Sequence, residues 1–206
     1  MTNPDLSPRK KPVQDRSRHL VEAVVEATRR LLLREGFESL TMARIAKVAG
    51  VSPGSLYQYF PSVDSLMVVL YQRMRTQELE AFERLLESTR TMPLQESIEA
   101  FLFELAKMIA EQRPLAAELA KWVPILDPEE EKIAPIDARL TELMTAFLRD
   151  RAHETRSLDP ELAGMMLARS ILGVVRHALV EQPELAGDRR LFEELVRLVH
   201  GFVRRV

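Results

Sequence analysis

The chain has no cysteine in its 206 residues. That excludes disulfides, thiolate catalysis, cysteine-based zinc sites and thiol redox sensing together. No apolar run approaches the roughly 20 residues that a membrane-spanning helix needs, so no membrane partner is expected. The opening stretch, MTNPDLSPRKKPVQDRSRH, is polar and lacks an apolar core. It does not read as a secretory signal, and the expected location is the cytoplasm. Catalytic motifs are also missing. His19, His153, His177 and His200 are scattered, and no HExxH, glycine-rich phosphate loop or nucleophile elbow occurs. His177 and Glu181 share a helix face at i, i+4 spacing, which suits a metal but is more often a surface pair. An enzyme, a metal and a cofactor are therefore not expected.

What is present is ordinary globular material, 46% hydrophobic, enough for a core and too much for disorder. The net charge of −2 is unevenly spread. Residues 1–61 carry 10 lysines and arginines against 6 acids, a net of +4; residues 62–206 carry 19 against 25, a net of −6. A basic front suits an anionic partner.

Helical periodicity dominates, and the expected fold class is all-α. Leu20, Val21, Val24, Val25, Thr28, Leu31 and Leu32 form one buried stripe. The first helix is expected over 17–35, closed by Gly36 at a position that calls for positive φ. Thr41 caps a second helix whose inner face is Met42, Ile45, Ala46 and Ala49, and Gly50 ends it. Ser52 caps a third, with Pro53 at its first position, ending near Phe60 and Pro61. Ser62 caps a fourth, with Asp64 in its first turn, running toward Leu86.

Beyond it, a stripe of Ile98, Phe101, Leu102, Leu105, Met108 and Ile109 marks a fifth helix, which Pro114 is expected to separate from LAAELAKWV. Pro124, Pro128 and Pro135 make 124–135 a broken acidic connection. A helix follows over 136–151. SLDPE then opens another, capped by Asp159, over 161–180. The last is RRLFEELVRLVHGFVRRV, with Phe192, Leu195, Val196, Val199, Phe202 and Val203 on one face.

Two short helices joined by Ala49-Gly50-Val51-Ser52 and packed on a longer first helix follow the helix-turn-helix plan. The stretch GFESLTMARIAKVAGVSPGSLYQYFPS, Gly36 to Ser62, with the helix before it, resembles the TetR-type (tetracycline-repressor-like) transcriptional regulators. The resemblance covers roughly residues 17–66; the rest matches only as a helical bundle of suitable length. It implies a helix-turn-helix DNA-binding domain over 15–61 and a helical ligand-binding and dimerisation domain over 62–206; ahead of them the charges mark a basic arm over 1–14, expected to be disordered. In that division Thr41 offers its hydroxyl and a helix N-terminus to a phosphate, with Arg44, Lys47 and Ser52 alongside. Gly54 lets the backbone approach DNA. Ser55, Tyr57 and Gln58 face base edges or sugars, and Tyr59 meets phosphate. Val51, Leu56 and Phe60 pack inward.

Two departures stand out. Pro53 lies where a lysine is frequent, and Val63 where a lysine usually opens helix four; each would be a phosphate contact. The arm residues Arg9, Lys10, Lys11, Arg16 and Arg18 are placed to compensate.

The resemblance further implies a homodimer through the last two helices, reading a double-stranded palindromic operator. ELAGMMLARSILGVVRHALV is apolar on more than one side, and Gly164, Ala168, Gly173 and Ala178 permit close helix approach. The middle helices would hold a small, largely apolar effector that releases the repressor from DNA. Phe103, Met108, Trp122, Met144, Phe147, Met165 and Met166 are the pocket candidates, and Arg176 and His177 would either orient a polar group of the ligand or form a hydrogen bond at the dimer interface. The rival reading is a regulator that binds protein partners, with a helix-turn-helix that no longer reads specific DNA.

Overall fold

The computed structural model describes residues 15–120, 134–156, 159–182, 185 and 188–204. Among them are eight α-helices: α1 (Asp15–Glu35), α2 (Met42–Ala49), α3 (Pro53–Tyr59), α4 (Val63–Ser88), α5 (Leu94–Ala120), α6 (Ala134–Asp150), α7 (Pro160–Glu181) and α8 (Arg189–Val203). The fold is all-α; the one strand-like feature among the described residues is an isolated bridge between Thr155 and Arg204. The chain divides into two compact units, one ending at Met74 and the other beginning at Arg75. The opening turns of α4, which the sequence assigns to the second domain, thus lie in the first unit.

In the first unit, α1 buries Val21, Val24, Val25, Leu31 and Leu32, and Thr28 among them turns its hydroxyl back to the Val24 carbonyl at 2.8 Å. Gly36 ends α1 with φ 77°, and its N–H donates to the Leu32 carbonyl at 3.0 Å. A side chain there would be strained, so the glycine sets the direction in which the chain leaves the helix. A 3-10 turn, Phe37–Ser39, and buried Leu40 then deliver Thr41 to the start of α2. α2 lays Met42, Ile45 and Ala46 against α1. α3 closes the unit with Leu56 and, one residue past its end, Phe60, both essentially inaccessible.

In the second unit, one continuous core joins Phe82, Phe101, Leu105, Leu140, Leu167, Ile171, Phe192 and Val199. α6 packs most extensively on α7, and α5 on both α7 and α8. Phe82 and Phe101 meet edge to face, with ring centroids 5.0 Å apart. Gly164 is buried where a methyl group would meet the Thr145 nitrogen at 2.7 Å and its Cα at 2.8 Å. Its smallness therefore serves the α6–α7 contact within the chain.

Pro114 does not separate two helices: α5 runs through it from Leu94 to Ala120. Proline removes one i→i−4 hydrogen bond and costs about 3 kcal/mol in a helix interior. Buried Ile109, Ala116 and Leu119 lie on either side of it, and their burial, with alanine, leucine and glutamate as neighbours, outweighs that loss. α6 begins at Ala134, so Pro135 falls in its first turn, where the missing N–H has no helical partner to lose. The rest of the proposed acidic connection lies outside the described residues.

A buried arginine fastens this unit. The Arg151 Nη2 donates to the Thr89 carbonyl at 3.0 Å and the Arg90 carbonyl at 2.9 Å, at the end of α4. Its guanidinium lies 4.3 Å from the Phe147 ring centroid. Glu154 accepts the Leu94 N–H at 2.8 Å, at the start of α5. One segment after α6 thus caps a helix end on each side of the α4–α5 turn.

Candidate nucleic-acid interface

The interface is built by caps. Thr41 has extended backbone, and its hydroxyl oxygen accepts the Arg44 N–H at 3.2 Å. That engages the oxygen and leaves its proton free to donate outward. The Gly50 N–H lies 3.3 Å from the Lys47 carbonyl, and its left-handed backbone (φ 70°, ψ 28°) reverses the chain between α2 and α3. Ser52 accepts the Ser55 N–H at 3.1 Å, and the two hydroxyls are 2.8 Å apart. Pro53 takes the first helical position.

These constraints sort the side chains of α3. Leu56 and Phe60 point in, while Tyr57 is 46% exposed and Gln58 is exposed beside it. Ser55 and Tyr59 are half-buried, as is Val51. Gly54 is exposed, with no protein atom crowding the space a side chain would take. Ser52 is exposed. On α2, Thr41, Arg44 and Lys47 are exposed. One unit therefore presents hydroxyls, an amide, a phenol and two cations. Hydroxyls and cations suit phosphate oxygens; an amide and a phenol can reach base edges.

Two features of this surface escape sequence reasoning. Val48, on the last turn of α2, is half exposed although apolar. Arg44 is not a free cation: its guanidinium pairs with Glu35, the last residue of α1, and reaches the Ser39 carbonyl at 3.4 Å. The pair joins residues nine apart across a turn, so helical spacing does not reveal it. Elsewhere in the unit, Glu26 accepts from Arg29 at 2.8 Å and Arg30 at 2.8 Å. The Arg29 hydrogen bond, then that of Arg30, holds its carboxyl down at about 2.

Of the effector candidates that are described, Met108, Met144 and Phe147 gather at one core and the others face outward. Met144 is buried in the core of the second unit, and Phe147 and Met108 pack partly against it. Phe103 is 64% exposed, and Met165 and Met166 are each 43% exposed. His177 is exposed and pairs with Glu181 at 3.3 Å. Among the described residues no group of three metal-ligating side chains assembles. Trp122 and the Arg176 side chain lie outside what is described. No helix among the described residues is long and apolar enough to cross a membrane.

Residues 24–70 match the bacterial regulatory proteins of the tetR family, and residues 93–202 match the tetracyclin repressor-like C-terminal domain. The nucleoid occlusion factor SlmA of Glaesserella parasuis is 35% identical over 74 residues, 36% of this chain and 35% of SlmA. The aligned part is thus about a third of that relative's length. The HTH-type transcriptional regulator UidR of Escherichia coli is 24% identical over 183 residues, 87% of this chain and 91% of UidR. Among solved structures, FadR of Thermus thermophilus, a TetR-family transcriptional repressor in complex with lauroyl-CoA, superposes with a TM-score of 0.62 at 21% identity, covering 90% of this chain and 96% of FadR. The two matched regions together span most of the chain, and the capped α2–α3 pair lies within the first. The chain belongs to the tetR family of bacterial regulatory proteins: it is a DNA-binding transcription regulator of helix-turn-helix type.

Proposed function

We propose that the protein is a homodimeric repressor that binds a palindromic operator and is released by a small, largely apolar ligand. The observation that carries the DNA half is the sorting of α3: Leu56 and Phe60 buried, Tyr57 and Gln58 turned out. In this reading α3 lies in the major groove. Ser55, Tyr57 and Gln58 read base edges or sugars, while Thr41, Lys47, Ser52 and Tyr59 meet phosphates and Gly54 admits the backbone. The protein acts on chromosomal DNA and therefore in the cytoplasm. Because one head reads few base pairs, two are needed for useful specificity. The exposed apolar side of α7, with Leu162, Met165 and Met166, supports a second copy there.

Release requires a ligand that binds one position of α4 better than another. That FadR is held with lauroyl-CoA favours an apolar effector for this fold. The middle helices supply apolar side chains for one, with Met108 and Phe147 at the margin of the core.

Selection of bound sequences from a random DNA pool, at near-physiological salt, tests the proposal. An enriched palindrome with fixed half-site spacing supports it. Absence of enrichment even at low salt would mean that Pro53 and Val63 have removed specific reading, and would favour a protein partner instead. Given an operator, fatty acyl compounds and apolar drugs are screened for release. A series that binds without changing operator affinity would overturn the effector half.

A further inference from the structure

We propose that Glu35 governs DNA affinity by holding Arg44 in an ion pair that a phosphate must displace. The inference rests on the reading of α2 and α3 as the DNA face. Arg44 and Lys47 are the two exposed cations of α2. Lys47 has no ion pair among the described residues; Arg44 has Glu35 and, through its other terminal nitrogen, the Ser39 carbonyl at 3.4 Å. The Glu35 side chain is 30% exposed and that of Arg44 42% exposed, so the pair sits at the surface, within reach of a large anion.

The carboxylate's position is not one a helix favours. Glu35 is the last residue of α1, where the helix dipole repels an anion. The tight exit through Gly36 and the 3-10 turn brings Arg44 back over that end. Arg44 thereby stabilises a misplaced negative charge, and Glu35 occupies the donors that would otherwise grip a phosphate. When DNA binds, the phosphate takes those donors and Glu35 is left beside a polyanion. The head therefore binds DNA more weakly than its exposed cations would allow. The weakening is equal for all sequences, since a phosphate contact carries no base information. Its use is to limit retention by non-operator DNA.

Glu35→Gln keeps the side chain's length and its acceptor oxygen but removes the charge. Binding to a random duplex and to the operator is measured by fluorescence anisotropy across salt concentration. The variant is expected to bind both duplexes more tightly than wild type. Its slope of log affinity against log salt should be steeper by up to about 1. Its advantage should accordingly shrink about threefold between about 50 and about 200 mM salt. The ratio of operator to random affinity should not change. Glu35→Ala is a second variant that must move the slope in the same direction. Arg44→Gln should cost about one unit of slope in the Glu35→Gln background. An unchanged slope in both Glu35 variants, or weaker binding with an unchanged unfolding midpoint, overturns the proposal. If wild type binds no duplex even at low salt, the reading of α2 and α3 fails, and this proposal with it. If Tyr57→Ala lowers operator affinity while the Glu35 variants match wild type, only this proposal fails.

Discussion

Leu56 and Tyr57 are adjacent, yet one is wholly buried and the other is 46% exposed. Their divergence fixes what substitution should do. Leu56→Ala removes a core side chain and should cost about 2–5 kcal/mol of stability, seen as a lower denaturant midpoint. Tyr57→Ala or Gln58→Ala, on exposed positions, should leave that midpoint within about 0.5 kcal/mol. Each should weaken operator binding by about 1–3 kcal/mol and relax preference at one base position. A Tyr57→Ala protein that unfolds early but binds normally would return Tyr57 to the core. At this scale much was legible, because Ser52, Pro53 and Gly50 fix the helix phase and the phase fixes which side chains turn out. The Glu35–Arg44 pair was not legible, because it crosses a turn whose path depends on Gly36 and Leu40. Nor was the outward turn of Phe103, Met165 and Met166: at helical spacing an apolar residue looks the same whether it meets a neighbouring helix or solvent.

The helices of the first unit were legible because each carries its own start and stop: Thr41 and Gly50 for α2, Ser52 and Phe60 for α3. α5 was not, because proline is a strong local signal and the packing that overrides it is non-local. Arg151 is a subtler case. It continues the buried series Leu140, Met144, Leu148 by helical spacing, and a charge in an apolar stripe asks for partners. Those partners are backbone carbonyls of another turn, invisible to any side-chain pattern. The Thr89 carbonyl keeps the Met92 N–H at 3.0 Å, so Arg151→Met should strand the Arg90 carbonyl and cost about 1–3 kcal/mol, with the fastest added amide exchange at the α4–α5 turn. Arg151→Lys should recover only part of this, since one ammonium lacks the planar fork. A loss below about 0.5 kcal/mol would show the clasp to be incidental.

On α1, the lowered Glu26 carboxyl gives a pH dependence. A depressed folded pKa stabilises above the unfolded value of 4.5, and that stability is lost as pH falls toward about 2. The side chain is 40% exposed, so solvent screening leaves about 0.3–0.5 kcal/mol per pair. Glu26→Gln should therefore be slightly less stable than wild type at neutral pH, with the difference gone near pH 2; a difference that persists there would refute the charge origin.

At the scale of the molecule, the proposed dimer turns on the outer side of α7. Ala163, Leu167, Ala168, Ile171 and Val175 face the core. Leu162, Met165 and Met166 occupy the other side at i, i+3, i+4 spacing, and Gly173 lies further along it with nothing over it. Scattered apolar side chains on a surface are normal, but three on one stripe, ahead of a flat glycine, form a patch that another helix can cover. In an isologous dimer each such residue is buried twice. Met165→Glu with Met166→Glu would place four carboxylates in one interface, each costing several kcal/mol to desolvate without a partner. Both positions are exposed in the single chain, so helix content and the intrinsic stability of the bundle should hold. Wild type should sediment as a dimer at micromolar concentration and the double variant as a monomer. Operator affinity should fall by more than about a hundredfold, while half-site and non-specific binding survive. A double variant that stays dimeric would move the interface off this face, and a wild-type monomer that still binds a palindrome would mean that the operator itself assembles the pair.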